Sequence, residues 1–144
     1  MSTIKFAPVA SAVSMSRASV WAGRLLSGLF VAFMLFDISI KLLQLDVVAE
    51  AMTRLGWSPG HAPLIGVLEL VFVGLYLWRP TAVLGAVLLT GILGGAVATH
   101  LRIGDPLVSH TLFGVYLGAF AWGGLWLRDA QLRALAPWRH SDDK

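Results

Sequence analysis

Asp37 and Lys41 stand four residues apart inside one long apolar run, the spacing that puts two side chains on one face of a helix. Glu69 lies near the middle of a second apolar run. His100 closes a third, Arg102 and Asp105 fall in the short link that follows, and His110 opens a fourth. A carboxylate in apolar surroundings can store and release a proton, and a histidine can give or take a hydrogen bond near neutral pH. At a bilayer centre an ionisable side chain costs at least ~2.5 kcal/mol on insertion scales, so each should turn toward a bundle interior. Asp37, Lys41, Glu69, His100, Arg102, Asp105 and His110 are thus candidates to line one polar pocket.

Each also has a plainer role. Asp37 and Lys41 could neutralise one another near an interface, with the lysine snorkelling outward. Glu69 could be protonated and bonded across helices, or paired with Lys41 or Arg24. The histidines could be ordinary polar helix-end residues, Arg102–Asp105 a pair that orders its loop, and Arg24 a topology anchor. Tyr76 and Thr90 fall nearer the other half of their spans and stand apart from the pocket.

Several chemistries are disfavoured. The chain has no cysteine, which removes disulfides, thiolate metal sites and cysteine nucleophiles. A haem needs axial ligands on opposite sides of its plane, whereas His100 and His110 are close in sequence and near the surface. His100, Asp105 and His110 lack a standard zinc spacing. Ser109, His110 and Asp105 make a hydrolytic triad only on paper, crowded into one loop. No phosphate loop or dinucleotide fingerprint is present. The sequence holds no complete catalytic constellation and no metal set.

These residues must be positioned by apolar helices. Of 144 residues 57% are hydrophobic and 13% charged, against roughly 25% charged in an ordinary soluble domain. Mean hydropathy is +0.76. A soluble chain this short could not hide that much apolar surface, and a net charge of +3 spread along it does not suit nucleic acid. Four runs approach the ~20 residues that cross a hydrocarbon core: 20–43, 62–78, 81–101 and 108–127. Lipid leaves backbone groups no outside partner, so the expected fold is an all-α four-helix transmembrane bundle over residues 20–128. Residues 1–19, broken by Pro8, read as a flexible tail, and 129–144 as a polar tail with Trp138 as a possible interfacial anchor. Arg79-Pro80 breaks the second span from the third. Between the first two spans, Val47, Val48, Ala51 and Leu55 recur at helical spacing and suggest a short amphipathic helix on the membrane face.

Lys/Arg placement sets orientation. Lys5, Arg17, Arg24, Arg79, Arg128, Arg133, Arg139 and Lys144 share one side, and Lys41, Arg54 and Arg102 the other. Both termini are therefore expected in the cytoplasm. Trp21, Trp57, Trp78, Trp122 and Trp126 near span ends fit aromatic belts. With that orientation the candidate polar residues all fall in the outer half. Gly91 and Gly95, and Gly114 and Gly118, have the four-residue spacing that lets helices approach. Packing within the chain is the plain reading and a homodimer seam the alternative.

The stretch from Arg24 to Arg128 resembles the DoxX-like family of small four-span bacterial membrane proteins. The resemblance is carried by Gly23-Arg24, the Asp37…Lys41 pair, Ile65–Leu70 (IGVLEL) with Glu69, Leu75-Tyr76…Arg79-Pro80-Thr81, and Trp122–Asp129 (WGGLWLRD). Its most specific part is Leu88–Arg102 (LLTGILGGAVATHLR) with Gly104-Asp105-Pro106 after it. The resemblance implies a bacterial inner-membrane bundle. The family takes its name from a small subunit of a quinone-linked oxidase that passes electrons from a sulfur substrate to the quinone pool, so quinone is the cofactor it implies. The first expectation is a quinone- or lipid-associated subunit in redox metabolism, working with a protein partner or as a homo-oligomer. Glu69 and Asp37 would exchange protons, and His100 or His110 would hold a quinone carbonyl. A scaffold or assembly factor without chemistry is the second. A small-solute or proton carrier, necessarily oligomeric, is the third.

Overall fold

The computed structural model describes residues 16–135. It is all-helical there. α1 spans Arg17–Leu42, α2 Asp46–Arg54, α3 Ala62–Leu77, α4 Ala82–Arg102, α5 Phe113–Arg128 and α6 Ala130–Leu135. Ser16 caps α1, its Oγ accepting the Ser19 N–H at 3.1 Å. Arg17–Ser19 are thus the first turn of a helix and not part of a tail. At the other end the expected tail begins with α6, capped by Asp129 Oδ1, which accepts the N–H groups of Gln131 and Leu132. The expectations for Pro8 and Trp138 lie outside the described residues.

Inward registers are legible in burial. On α1 the buried positions are Gly23, Ser27, Phe30, Met34 and Ile38, and on α3 Ala62, Gly66, Glu69, Val73 and Tyr76. Both follow the steps of three and four that keep one helical face inward. α4 contributes Ala82, Gly85, Ala86, Leu89 and Leu93, and α5 Gly114, Leu117, Ala121, Gly124 and Leu125. α1, α3, α4 and α5 form an antiparallel ring in that order, closed where α5 packs on α1. Phe30, Tyr76 and Leu89 are fully buried at its centre. Outward positions such as Leu25, Phe36, Val67, Val71, Leu84 and Phe120 are exposed and apolar, the pattern of a bundle whose solvent is lipid.

α1, α3 with the turn before it (Pro59–Leu77), and α4 with the turn before it (Arg79–Arg102) are long and apolar enough to cross a membrane. The fourth expected run, 108–127, is divided. Leu107–Thr111 winds as a wide π turn, with Thr111 N–H on Pro106 O and Leu112 N–H on Leu107 O, and the regular helix begins only at Phe113. Thr111 is buried and its hydroxyl donates back to Asp105 O at 3.2 Å, which holds the turn open.

α2 exists where the periodicity put it, but its buried face differs. Val48 and Met52 pack with Ala62, Ile40 and Ile65, while Val47 is 60% exposed and Ala51 is exposed. Val48 and Met52 are one turn apart and face the start of α3, which leaves the 47–51 stripe outward.

Candidate functional site

The inward register of α1 continues one step past Ile38 to Lys41, and that of α3 carries Glu69 into the bundle. Lys41 Nζ donates to Asp37 Oδ2 at 2.5 Å and to Glu69 Oε1 and Oε2 at 2.7 and 2.9 Å. Glu69 is 3% exposed and Asp37 28%. Lys41 is therefore turned inward, not snorkelling, and of the two cations that Glu69 could have met it takes Lys41. Arg24 instead lies 5.4 Å from the centre of the Trp21 ring. Gly66 permits the approach. A Cβ there would come within 3.2 Å of Lys41 Cβ and 3.3 Å of Leu42 Cδ2. Two acids thus share one ammonium, and with both ionised the group carries a net negative charge. One of the acids can then take up a proton while the other keeps the lysine paired.

The other candidates form a second cluster where α2 meets the α4–α5 connection. Arg54 grips Asp105 with both guanidinium nitrogens, Nη1 to Oδ1 at 2.7 Å and Nη2 to Oδ2 at 3.1 Å. His100 Nδ1 bonds Asp105 Oδ2 at 2.5 Å. The expected Arg102–Asp105 pair does not form. Gly104, at φ +73°, closes α4 with Gly104 N–H on Leu101 O and Asp105 N–H on His100 O, which folds Asp105 back over His100 and under Arg54. Arg102 reaches across to Leu55 O at 2.5 Å, beside Gly56 at φ +77°. The bonds from Arg54 and then His100 hold the Asp105 carboxyl below the usual carboxylate range. Arg54 was missed as a site residue because its partner is 51 positions away; its place in the last turn of α2 gave no local signal.

The His100 and His110 rings lie 6.1 Å apart. Ser109 Oγ bonds His110 Nδ1 at 2.8 Å, but Asp105 serves His100 instead, so Ser109, His110 and Asp105 do not assemble as a triad. The candidates for one pocket therefore fall into two groups, Asp37–Lys41–Glu69 between α1 and α3, and Arg54–Asp105–His100 with His110 beside it. Among the described residues no hydrogen bond or ion pair joins the two.

Away from them, Tyr76 is fully buried and its Oη donates to Ala121 O at 2.8 Å while bonding Ser27 Oγ at 2.9 Å, which ties α3 to α5 and α1. Thr90 accepts the Trp122 indole N–H at 2.8 Å. From that bridge an apolar groove of about 400 Å³ runs between α4 and α5, lined by Leu93, Gly94, Val97, Gly114 and Gly118. The four glycines expected to pack helices behave differently. A Cβ on Gly114 would stand 2.8 Å from Leu93 O, so this glycine is a true contact. Gly118 has only Leu93 Cδ1 at 4.0 Å, and Gly91 and Gly95 have nothing within 4 Å. Packing within the chain is thus wrong for Gly91 and Gly95. The close approaches are Gly23 against Gly124 between α1 and α5, and Gly85 against the Tyr76 backbone between α3 and α4.

The family model described as the DoxX-like family matches residues 25–124. The chain belongs to the DoxX-like family. The match covers all but the ends of the bundle and includes both clusters and the groove. No curated protein and no solved structure matches the chain. This member of the DoxX-like family is a membrane protein of apolar helices.

Proposed function

We propose that this chain is a four-span protein of a bacterial inner membrane, with both termini in the cytoplasm, that holds a quinone or lipid as the membrane subunit of a redox system. Its transmembrane domain is residues 20–128. The fourth crossing is α5 with the wide turn before it; Leu107–Arg128 reaches roughly 30 Å at 1.5 Å per residue, enough for a hydrocarbon core. The excess of Lys and Arg on the side of the termini supports the orientation.

The observation that carries the functional reading is the Asp37–Lys41–Glu69 group. A carboxylate 3% exposed inside an apolar bundle, sharing a lysine with a second acid, is a group that exchanges a proton with something bound beside it. His100 and His110 supply hydrogen bonds at the same end of the bundle. Solvent extraction of protein purified in mild detergent tests this. Near-stoichiometric quinone in wild type, reduced several-fold in Glu69→Gln or His100→Ala, is the expected result. Trace quinone equal in all three would overturn the quinone reading.

A second reading, a scaffold that self-associates, is favoured by the open space around Gly91, Gly94 and Gly95 on α4. Leucine at Gly91 and Gly95 would then dissociate an oligomer in detergent while Glu69→Gln would not.

A further inference from the structure

The groove between α4 and α5 ends about one helical turn short of the histidines, its last lining residues being Val97 and Gly114. Along α4 the lining residues Thr90, Leu93, Gly94 and Val97 step by three and four toward His100. Along α5, Trp122, Gly118 and Gly114 step back by four toward His110. Beyond the groove the rings of His100 and His110 lie 6.1 Å apart, tilted by 57°. The Thr90–Trp122 hydrogen bond closes its other end. From Thr90 to His100 the path is roughly 15 Å at 1.5 Å per residue. An apolar trough that ends one turn from two hydrogen-bonding side chains has the polarity profile of an amphiphile lying along it. Its volume, about 400 Å³, is near the lower end of small-molecule sites and suits one chain, not two.

We propose that this groove seats the single tail of a long-chain amphiphile whose hydroxyl head donates a hydrogen bond to Nε2 of His100. The proposal rests on the amphiphile part of the function proposed above and adds where the ligand lies and what its head must offer. Head-group chemistry follows from the bonds at His100. Asp105 is gripped as a carboxylate by Arg54, so it accepts from Nδ1–H of His100. In the neutral ring that tautomer leaves Nε2 as an acceptor. A head that donates, an alcohol or a hydroquinone, completes it; a head that only accepts, a quinone carbonyl or an ether, does not. This reverses the carbonyl contact expected from the sequence. Asp105 and Arg54 are positioning residues, since they reach the ligand only through His100.

The test uses the full chain in lipid nanodiscs, titrated calorimetrically with a C15 prenol, the methyl ether of that prenol, and a short-chain ubiquinol and its ubiquinone. Variants are Gly118→Leu, Gly94→Leu and His100→Ala, with Gly91→Leu as control. Gly118 and Gly94 line the groove and have room for a side chain, so leucine there fills it without displacing backbone. Expected in wild type is binding of the prenol at least about tenfold tighter than its ether, the worth of one good hydrogen bond. Gly118→Leu and Gly94→Leu lose binding of both, Gly91→Leu loses neither, and His100→Ala makes prenol and ether equal. Equal binding of prenol and ether by wild type, or undiminished binding by both groove-filled variants, overturns the site. Tight prenol without ubiquinol binding keeps the site and removes the quinone. Co-purified quinone that survives Gly118→Leu keeps the quinone and removes the site.

Discussion

Lys41 is the residue on which the membrane-buried charge balance turns. Removing it strands Glu69 without a cation, and breaking a buried pair from one side costs about 3–5 kcal/mol, whereas replacing both partners with apolar groups of similar volume is often neutral. Lys41→Met should therefore lower the unfolding midpoint in detergent more than the double variant Lys41→Met/Glu69→Leu. The reverse order would mean that the pair is solvated. Asp105 answers to pH in a defined direction. Its folded-state carboxyl titrates lower than the unfolded one, near ~3.9, so its stabilising contribution is fully present above that value and is lost as pH falls through the lower folded value. Wild type should exceed Asp105→Asn at pH 5 and above, and the two should converge on acidification below 4. Thermal unfolding across that range reads it. At this scale the acids, the lysine and the histidines were legible in the sequence, because charge inside an apolar run stands out, and the structure bonds Lys41 to Asp37 and Glu69, and His100 to Asp105. Their partners were less legible. The 100–105 pairing depends on a left-handed turn at Gly104, and Arg54 arrives from a helix distant in the chain.

Element boundaries were legible because lipid demands long apolar helices, and α1, α3 and α4 start and end within three residues of their expected limits. Two features were not. The first turn of the last run relaxes into a π turn because Thr111 bonds back to Asp105 instead of continuing the helix. The glycine spacing on α4 was also misleading. A four-residue spacing says that Gly91 and Gly95 share a face, not which face the bundle uses, and Ala82, Gly85, Ala86, Leu89 and Leu93 take the inner one. The packing seams lie instead where glycine meets backbone. Gly124→Leu would drive its side chain into Ser27 and the Gly23 carbonyl, and overpacking of this kind costs about 1–3 kcal/mol or more. It should lower the thermal midpoint by several degrees, while Gly91→Leu, facing open space, should leave the midpoint of the monomer unchanged. Equal losses would show that α4 packs on its glycine face.

For the whole molecule, the up-down arrangement puts the α2 end, with its ion-pair clamp, opposite the termini. The absence of native cysteine makes that arrangement directly readable by single-cysteine labelling. Ser58→Cys should react with an impermeant maleimide from the periplasmic side of intact cells, and Arg79→Cys only after permeabilisation. Reaction of both from one side would remove the four-span topology. What would join topology to function is the proposed amphiphile. Native mass spectrometry of the chain ejected straight from membrane vesicles addresses that claim without detergent exchange. A spectrum dominated by chain plus one amphiphile of a single class, with bare chain dominating for Gly118→Leu, is the expected result; bare wild-type chain, or a ladder of bulk phospholipids equal in wild type and variant, would contradict it.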